Sequence, residues 1–323
     1  MEKTNYVIGF DVGGTRIKSG AVTPDGGLLA PGIHPSGFSI APEAVLRVLQ
    51  DDVARITQAL GARPQGIGVG FPGAVDPRVG IVLLPGKLKL AGFPLVPRLE
   101  EATGLPVIAE NDGRLSILAE ARYGLARPYR WAVTVTIGTG IGSGVMLDGQ
   151  VLRDPHLQFG TQASHIVQEA RSSRRCISGA RGTPNILCSA TTLAMMVRDG
   201  LQRGLPSVLN DAYFADPHSI DFKAVIEGVE QGDALCLDAL QQWTINLSWF
   251  LVSVVHMYAP EVIILSGGAT NAARHFLEPV QAHVNRHVFR YPPGEPVPIL
   301  LSKLSDHAGV LGAAALAWEH TAG

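Results

Sequence analysis

Two glycine-rich turns, each directly after an apolar, β-rich run, constrain the fold of this chain more than any other feature. Residues 133–144 read Val-Thr-Val-Thr-Ile-Gly-Thr-Gly-Ile-Gly-Ser-Gly, and residues 6–18 read Tyr-Val-Ile-Gly-Phe-Asp-Val-Gly-Gly-Thr-Arg-Ile-Lys. Glycine tolerates positive φ and lets bare backbone approach a ligand, so successive N–H groups can point at phosphate oxygens. Each turn alone is also typical of a tight β-hairpin. The pair favours phosphate binding.

Polar residues in the two turns extend this interpretation. Thr15 and Thr139 add hydroxyl donors beside the glycines. Asp11 cannot bind a phosphate directly because two anions repel. A carboxylate next to a phosphate loop is nevertheless where a hydrated Mg²⁺ would lie. We therefore predict that Asp11 holds Mg²⁺ through water.

Length and composition limit the class of protein. A chain of 323 residues is too long for one ordinary core, so two domains are expected. Hydrophobic residues make up 46% and charged residues 17%, which is typical of a folded globular protein. A net charge of −2 argues against a nucleic-acid partner, whose binding surfaces carry a clear basic excess.

Targeting and redox features predict a cytoplasmic protein. The first residues lead straight into a strand without the pattern of a secretory signal. No apolar run approaches the roughly 20 residues that span a bilayer, so no membrane is expected as a partner. The chain has three cysteines, at positions 176, 188 and 236. Their number is small and odd, which does not suggest a disulfide framework.

Strands and helices alternate along the chain. A hairpin over residues 6–22 turns at 24–27, and a helix over 43–60 places apolar residues at helical spacing. The second half repeats the plan with a hairpin over residues 131–147. Further helices are predicted at 95–103, 113–123, 191–202, 222–231, 234–256 and 306–318, the last rich in alanine and glycine, and further strands at 65–71, 106–110 and 261–265.

Asn111 and Asp112 follow a predicted strand directly and precede a predicted helix. In open α/β sheets this strand-to-helix junction is the edge that binds ligands. Asp112 would also lie near the positive end of the helix, which favours its ionised form. The simpler interpretation is that Asp112 is a helix N-cap, since Asp and Asn are preferred there.

The order of these segments resembles the ROK family (repressor, open reading frame, kinase), which includes sugar kinases of the actin-like ATPase and hexokinase fold. The similar segments are residues 11–18, 70–76, 110–112, 137–144 and 260–268. The resemblance implies an α/β fold of two actin-like ATPase (ribonuclease H-like) domains with mixed sheets around an interdomain cleft. It implies a small N-terminal domain of residues 1–112, completed by a C-terminal helix at about 306–323, and a large domain of residues 113–305.

The resemblance also implies site residues and an activity. ATP would be bound with Mg²⁺, and Asp112 would act as the catalytic base that accepts the proton of a sugar hydroxyl. The residues implied to bind ATP are Asp11, Gly13, Gly14, Thr15, Lys18, Gly138, Thr139, Gly140, Gly267 and Gly268. The residues implied to bind the sugar are Gly73, Asn111, Gln162, His165 and Asn185.

The sugar side departs from the family pattern. The usual Glu-x-Gly-His segment is Gln162-Ala163-Ser164-His165 here, and the usual Cys-x-Cys-Gly-x-x-Gly-Cys-x-Glu segment reads Cys-Ile-Ser-Gly-Ala-Arg-Gly-Thr-Pro-Asn over residues 176–185. A structural zinc site needs four N or S ligands. Only His165 and Cys176 remain at matching places, so no structural zinc is expected. Cys188 is a candidate third ligand, but a free buried cysteine is the more ordinary interpretation.

Two functions from different classes remain open. The first is an ATP-dependent kinase that acts on a sugar or sugar derivative, which Lys87 or Lys89 would contact if the substrate were anionic. The second is a non-catalytic, sugar-sensing or regulatory protein. Repressors of the family carry an N-terminal helix-turn-helix, for which we expect no room before the first strand. The resemblance implies a homodimer.

Overall fold

A computed structural model describes residues 4–36, 41–76, 79–84, 91–153, 162–289 and 295–322. Lys87 and Lys89 lie outside the described residues. The chain is α/β, as predicted. Its strands are β1 (Val7–Val12), β2 (Arg16–Val22), β3 (Leu28–Pro35), β4 (Ile67–Phe71), β5 (Ala74–Asp76), β6 (Ile81–Leu84), β7 (Val107–Asn111), β8 (Ala132–Ile137), β9 (Ile141–Leu147), β10 (Gln150–Val151), β11 (Val262–Ser266) and β12 (Ile299–Leu301).

The helices confirm the predicted alternation. They are α1 (Pro42–Leu60), α2 (Leu95–Thr103), α3 (Asp112–Tyr123), α4 (Pro184–Leu187), α5 (Ala190–Gln202), α6 (Asn210–Ala215), α7 (Phe222–Glu230), α8 (Ala234–Tyr258), α9 (Leu277–His287) and α10 (Ala308–Ala322). Helix α1 illustrates why these segments fold locally. Pro42 occupies its first turn, where no N–H is needed, and Gly61 ends it in the left-handed region at φ 60°.

Two mixed five-stranded sheets share one strand order. The first sheet runs β3-β2-β1-β4-β7 and the second β10-β9-β8-β11-β12. In each sheet the first three strands in chain order form a meander, and the two remaining strands follow on the other side of the first. Strand β1 is antiparallel to β2 and parallel to β4, and β11 is parallel to both β8 and β12. The predicted repetition of one plan is therefore confirmed.

The chain divides into two compact units by its internal packing. The first unit comprises the described residues of Met1–Arg130, Gly144–Thr161 and Ser302–Gly323, and the second those of Trp131–Ser143 and Gln162–Leu301. This division differs from the predicted boundary after residue 112, because α3 packs closely against α10 and stays with the first unit. The C-terminal helix belongs to the first unit.

Glycines allow α10 to lie directly against the first sheet. A Cβ atom on Gly68 of β4 would be 1.8 Å from the Ala313 carbonyl oxygen, and one on Gly9 of β1 would be 2.2 Å from the Val310 carbonyl oxygen. On its other side, Gly312 of α10 lies equally close to the Leu115 carbonyl oxygen of α3. The predicted small-residue helix is confirmed, and its small residues permit this contact.

No helix among these described ranges combines the length and apolar character that a membrane crossing requires.

Replacing Gly68 by alanine tests the helix–sheet contact. The new methyl group would collide with backbone that cannot move independently of α10, so we expect the free energy of unfolding to fall by about 3 kcal/mol. Gly142→Ala in β9 is the matched control, because its Cβ would meet Thr136 at an ordinary 3.6 Å. Denaturant unfolding measures both. Equal stability of the two variants would contradict the proposed packing.

Candidate functional site

The carboxyl ends of three parallel strands meet at one edge of the first sheet. Asp11 of β1 is in register with Gly70 of β4, and Phe71 of β4 is in register with Asn111 at the end of β7. Strands in parallel register end at the same edge, which is where open α/β sheets bind ligands. Asp11, Asn111 and Asp112 are therefore brought to the same edge.

Asn111, and not Asp112, caps helix α3. The Asn111 Oδ1 atom accepts a hydrogen bond from the Gly113 N–H at 2.8 Å, and its Nδ2 atom donates to the Gly73 carbonyl at 2.6 Å. The Asn111 backbone is extended and Asp112 is the first helical residue. Because Asn111 takes the capping role, the simpler interpretation of Asp112 as the N-cap is not needed.

Asp112 has the electrostatic surroundings of a base. Its side chain reaches solvent, yet protein atoms crowd the carboxyl so closely that burial, ahead of the negative charge of Asp11, raises its pKa to about 7. Hydrogen bonds from Gly113 and Asn111 oppose this shift only in part. The upward direction does not depend on the exposure, because Asp11 disfavours a second negative charge in either case.

A buried ion pair lies directly behind this junction and was not found in the sequence. Glu110 Oε1 accepts from Arg114 Nη1 at 2.9 Å and from the Asn111 N–H at 2.8 Å, and both charged side chains are 1% exposed. The pair therefore fixes the peptide between Glu110 and Asn111, one residue before Asp112. The sequence signal was available as the Glu and Arg at positions i and i+4 of a strand-to-helix junction.

The first glycine-rich turn is closed by its own backbone and by α10. The Gly13 N–H donates to the Arg16 carbonyl at 2.9 Å, and Lys18 Nζ donates to the Asp306 carbonyl at 2.9 Å. A Cβ on Gly309, in the first turn of α10, would be 2.4 Å from Asp11 Oδ2. The Asp11 carboxylate thus lies at the positive N-terminal end of α10, which stabilises negative charge there.

Asp11 suits a hydrated divalent cation. Burial raises the pKa of its carboxyl, and the nearby Lys18 charge lowers it. Mg²⁺ in phosphate sites keeps several waters and needs only one or two carboxylates beside the substrate's phosphates. Within the described residues no three His, Cys, Asp or Glu side chains group as a metal site. Mg²⁺ held by Asp11 through water therefore stays a prediction.

The second glycine-rich turn meets the end of β11 within the second unit. The Gly138 N–H donates to the Gly140 carbonyl at 2.9 Å, and the Gly138 carbonyl accepts from the Ala190 N–H at the start of α5. Gly267 follows β11 at φ 90°, and a Cβ there would be 2.5 Å from the Ile137 carbonyl oxygen. Gly138, Gly140 and Gly267, three of the predicted nucleotide residues, therefore lie at one edge of the second sheet.

The predicted sugar residues of the second unit form a connected cluster. His165 Nδ1 lies 3.3 Å from Cys176 Sγ, and Asn185 Nδ2 lies 3.8 Å from the same sulfur. Asn185 Oδ1 accepts from the Ile141 N–H at 3.0 Å. Gln162 begins the short 3-10 turn that carries His165, and its own side chain is exposed. Both polar groups of Asn185 thus already have protein partners.

Burial and hydrogen bonding tune this cluster. Burial lowers the pKa of His165, which keeps the imidazole neutral. Burial opposes the thiolate form of Cys176, but hydrogen bonds from Ser178 and Asn185 outweigh it and lower its pKa. The absence of structural zinc stays a prediction. Cys188 is free and fully buried, with Sγ donating to the Pro184 carbonyl at 3.3 Å, as predicted for a core cysteine.

The predicted site residues therefore fall into two local sets, one in each unit. The first unit holds Asp11, Gly13, Gly14, Thr15, Lys18, Gly73, Asn111 and Asp112. The second unit holds Gly138, Thr139, Gly140, Gln162, His165, Asn185, Gly267 and Gly268.

Comparison with known proteins finds one family that spans nearly the whole chain. The model of the ROK family matches residues 7–320. The glucokinase of Thermotoga maritima is 29% identical over 320 residues, which cover 98% of each chain. The crystal structure of the ROK hexokinase from Thermus thermophilus superposes with a TM-score of 0.83 at 28% identity, covering 98% of this chain and 99% of that one.

A third match concerns the fold alone. The ROK family glucokinase of Streptomyces griseus, solved in complex with glucose and AMPPNP, has a TM-score of 0.82 at 23% identity and covers 98% of this chain and 100% of that one. Together with the Thermus structure it confirms the predicted actin-like ATPase fold.

Asp112→Asn tests the electrostatics of the first set without any substrate. The folded state holds the Asp112 carboxyl neutral up to about pH 7, whereas the unfolded chain ionises it near its ordinary pKa of 3.8. The contribution of the Asp112 carboxyl to wild-type stability is therefore fully present below the ordinary pKa and is lost as pH rises to about 7. The neutral amide escapes this loss, so the melting temperature of the variant should exceed that of wild type above pH 7. A difference that does not grow from about pH 4 to about pH 7 would contradict the raised pKa.

Proposed function

The chain belongs to the ROK family, and we propose that it is an ATP-dependent kinase that transfers the γ-phosphoryl group to a hydroxyl of a sugar or sugar derivative. The observation that carries the proposal is Asp112, whose carboxyl has a pKa of about 7 at the strand-to-helix junction. A general base works best with a pKa near the operating pH. The kinases of Thermotoga maritima and Thermus thermophilus support the same activity.

In this proposal Asp112 accepts the proton of the attacking hydroxyl. After its bonds to Gly73, Gly113 and the Asp112 carboxyl, the neighbouring Asn111 retains one lone pair on Oδ1, which can accept from an adjacent hydroxyl. The buried Glu110–Arg114 pair holds the intervening backbone fixed. The first unit would thereby orient the acceptor hydroxyl and remove its proton.

The two glycine-rich turns bind the nucleotide in this proposal. The backbone N–H of Gly14 and the Thr15 hydroxyl would contact phosphate oxygens, as would the N–H groups of Thr139 and Gly140 in the second turn, while the Gly13 N–H closes the first turn on the Arg16 carbonyl. Gly267 and Gly268 would let adenosine approach bare backbone. Asp11 would hold Mg²⁺ through water, and this ion would neutralise phosphate charge during transfer. The AMPPNP complex of the Streptomyces griseus glucokinase supports ATP as the donor.

The altered sugar side affects the class of substrate. Gln162 is exposed and neutral where the family pattern has a glutamate, and His165 is held neutral by burial. An amide donates as well as accepts, so this side tolerates acceptor-rich or anionic groups that a carboxylate would repel. We include in the proposal a homodimer and a cytoplasmic location.

Turnover across a sugar panel tests the proposal. A coupled assay of ADP release is run with hexoses, N-acetylhexosamines and acidic sugars, and turnover is expected with at least one. Asp112→Asn should lower kcat by about 10²- to 10⁴-fold while ATP affinity, measured by titration, stays within about twofold. Asp148→Asn, at an exposed ion pair with Arg130, is the matched control and should keep wild-type rates. ATP binding without turnover on any sugar would instead favour the regulatory alternative.

The pH dependence of the reaction tests the assignment of Asp112. A base must be ionised to act, so kcat/KM for the sugar should rise through about pH 7 with the slope of a single proton. The profile is recorded from about pH 5 to about pH 9 with a buffer series of constant ionic strength. A flat profile across this range would rule out a base with the surroundings of Asp112.

A further inference from the structure

The Asn185 side chain contacts the second glycine-rich turn directly. Its Oδ1 atom accepts the N–H of Ile141, the residue at which the turn passes into β9, at 3.0 Å. Asn185 lies in α4, 44 residues away in sequence. This bond therefore ties the turn to helix α4.

The Asn185 contact explains why residue 140 is a glycine. A Cβ atom on Gly140 would be 2.6 Å from Asn185 Oδ1 and would meet nothing else within 4 Å except the same amide. The φ of Gly140 is not in the left-handed region. The backbone conformation therefore does not require a glycine at position 140. A glycine is required because Asn185 occupies the space that a side chain would need.

The contact also decides which N–H groups of the turn are free. The Gly138 N–H is donated to the Gly140 carbonyl, and the Ile141 N–H to Asn185. In the described part of the chain no hydrogen bond involves the N–H of Thr139 or Gly140. With the two outer donors engaged, the two inner ones are left for a ligand.

Asn185 is itself oriented from its other end. Its Nδ2 atom faces Cys176 Sγ at 3.8 Å, and that sulfur contacts His165 Nδ1 at 3.3 Å. A donor at one end and an acceptor at the other fix the flip state of the amide. The cluster thus presents Oδ1, and not Nδ2, to the turn.

We propose that Asn185 is a positioning residue of the nucleotide side, which holds the second glycine-rich turn so that the Thr139 and Gly140 N–H groups face phosphate, and not a sugar ligand. The identity of the ligand rests on the proposed function. The contact between Asn185 and the turn does not rest on the proposed function.

Asn185→Ala, Asn185→Asp and Asn246→Ala separate the possible roles. Asn246 is the matched control, because it is equally half-buried and donates to the Leu187 carbonyl of the same helix α4. Loss of one neutral hydrogen bond corresponds to about a three- to tenfold change. We expect Asn185→Ala to weaken ATP binding by that factor, with KM for the sugar within about twofold, and Asn246→Ala to change neither.

Amide hydrogen exchange of the unliganded protein measures how firmly the contact holds the turn, without any assay of activity. Exchange in the segment 138–144 should be about three- to tenfold faster in Asn185→Ala. Asn185→Asp keeps an oxygen that accepts the Ile141 N–H and should keep the slow exchange. The proposal would be overturned if segment 138–144 of Asn185→Ala exchanged at the wild-type rate. It would also be overturned if KM for the sugar rose without loss of ATP affinity.

Gly140→Ala tests the coupling itself. Its methyl group would displace Asn185 Oδ1, so the single variant should weaken ATP binding as Asn185→Ala does. In the double variant the methyl group has nothing to displace, and the effects should not add. Additive effects would overturn the coupling. If wild type phosphorylates no sugar, the kinase proposal fails, while the exchange measurements still decide the role of Asn185.

Discussion

The close contact of α10 with strands β1 and β4 is the constraint on which the first unit depends. Gly9 and Gly68 leave no room for a side chain between the sheet and the helix backbone. Because the helix packs so close to the sheet, its first turn reaches the end of β1, where Gly309 lies against the Asp11 carboxylate. The same glycines that pack the core thus also set the surroundings of Asp11.

Charge at this edge opposes stability in the way expected of a functional site. Two carboxylates, Asp11 and Asp112, influence each other, and Lys18 is the cation that acts on Asp11. The N-terminus of α10 and the capping of α3 by Asn111 reduce the cost without removing it. Burial, followed by the charge of Asp11, raises the pKa of Asp112 to about 7, so that this carboxyl exchanges its proton near neutral pH, as the proposed base requires.

Local sequence patterns predicted the elements of the fold but not the contacts across it. Periodicity and glycine positions located the helices and the two turns, because these depend on neighbours in the chain. The Asn185 contact with Ile141 spans 44 residues, and no periodic pattern encodes it. For the same reason no local pattern predicts that α3 packs against α10, and the sugar-binding role predicted for Asn185 rests on resemblance alone.

The segment from Cys176 to Asn185, which departs from the family's cysteine pattern, keeps its shape through backbone hydrogen bonds. The Gly179 N–H donates to the Cys176 carbonyl and the Cys176 N–H to the Ala180 carbonyl, at 2.9 and 2.7 Å. Gly182, at φ 59°, lets Glu169 backbone approach so closely that a Cβ would be 1.9 Å from its carbonyl oxygen. These bonds close the loop locally and leave the Cys176 sulfur free to orient the Asn185 amide. The contacts of His165, Cys176 and Asn185 therefore link this loop to the turn at Gly140. If the proposed function holds, a change in the loop would have its consequence at the nucleotide.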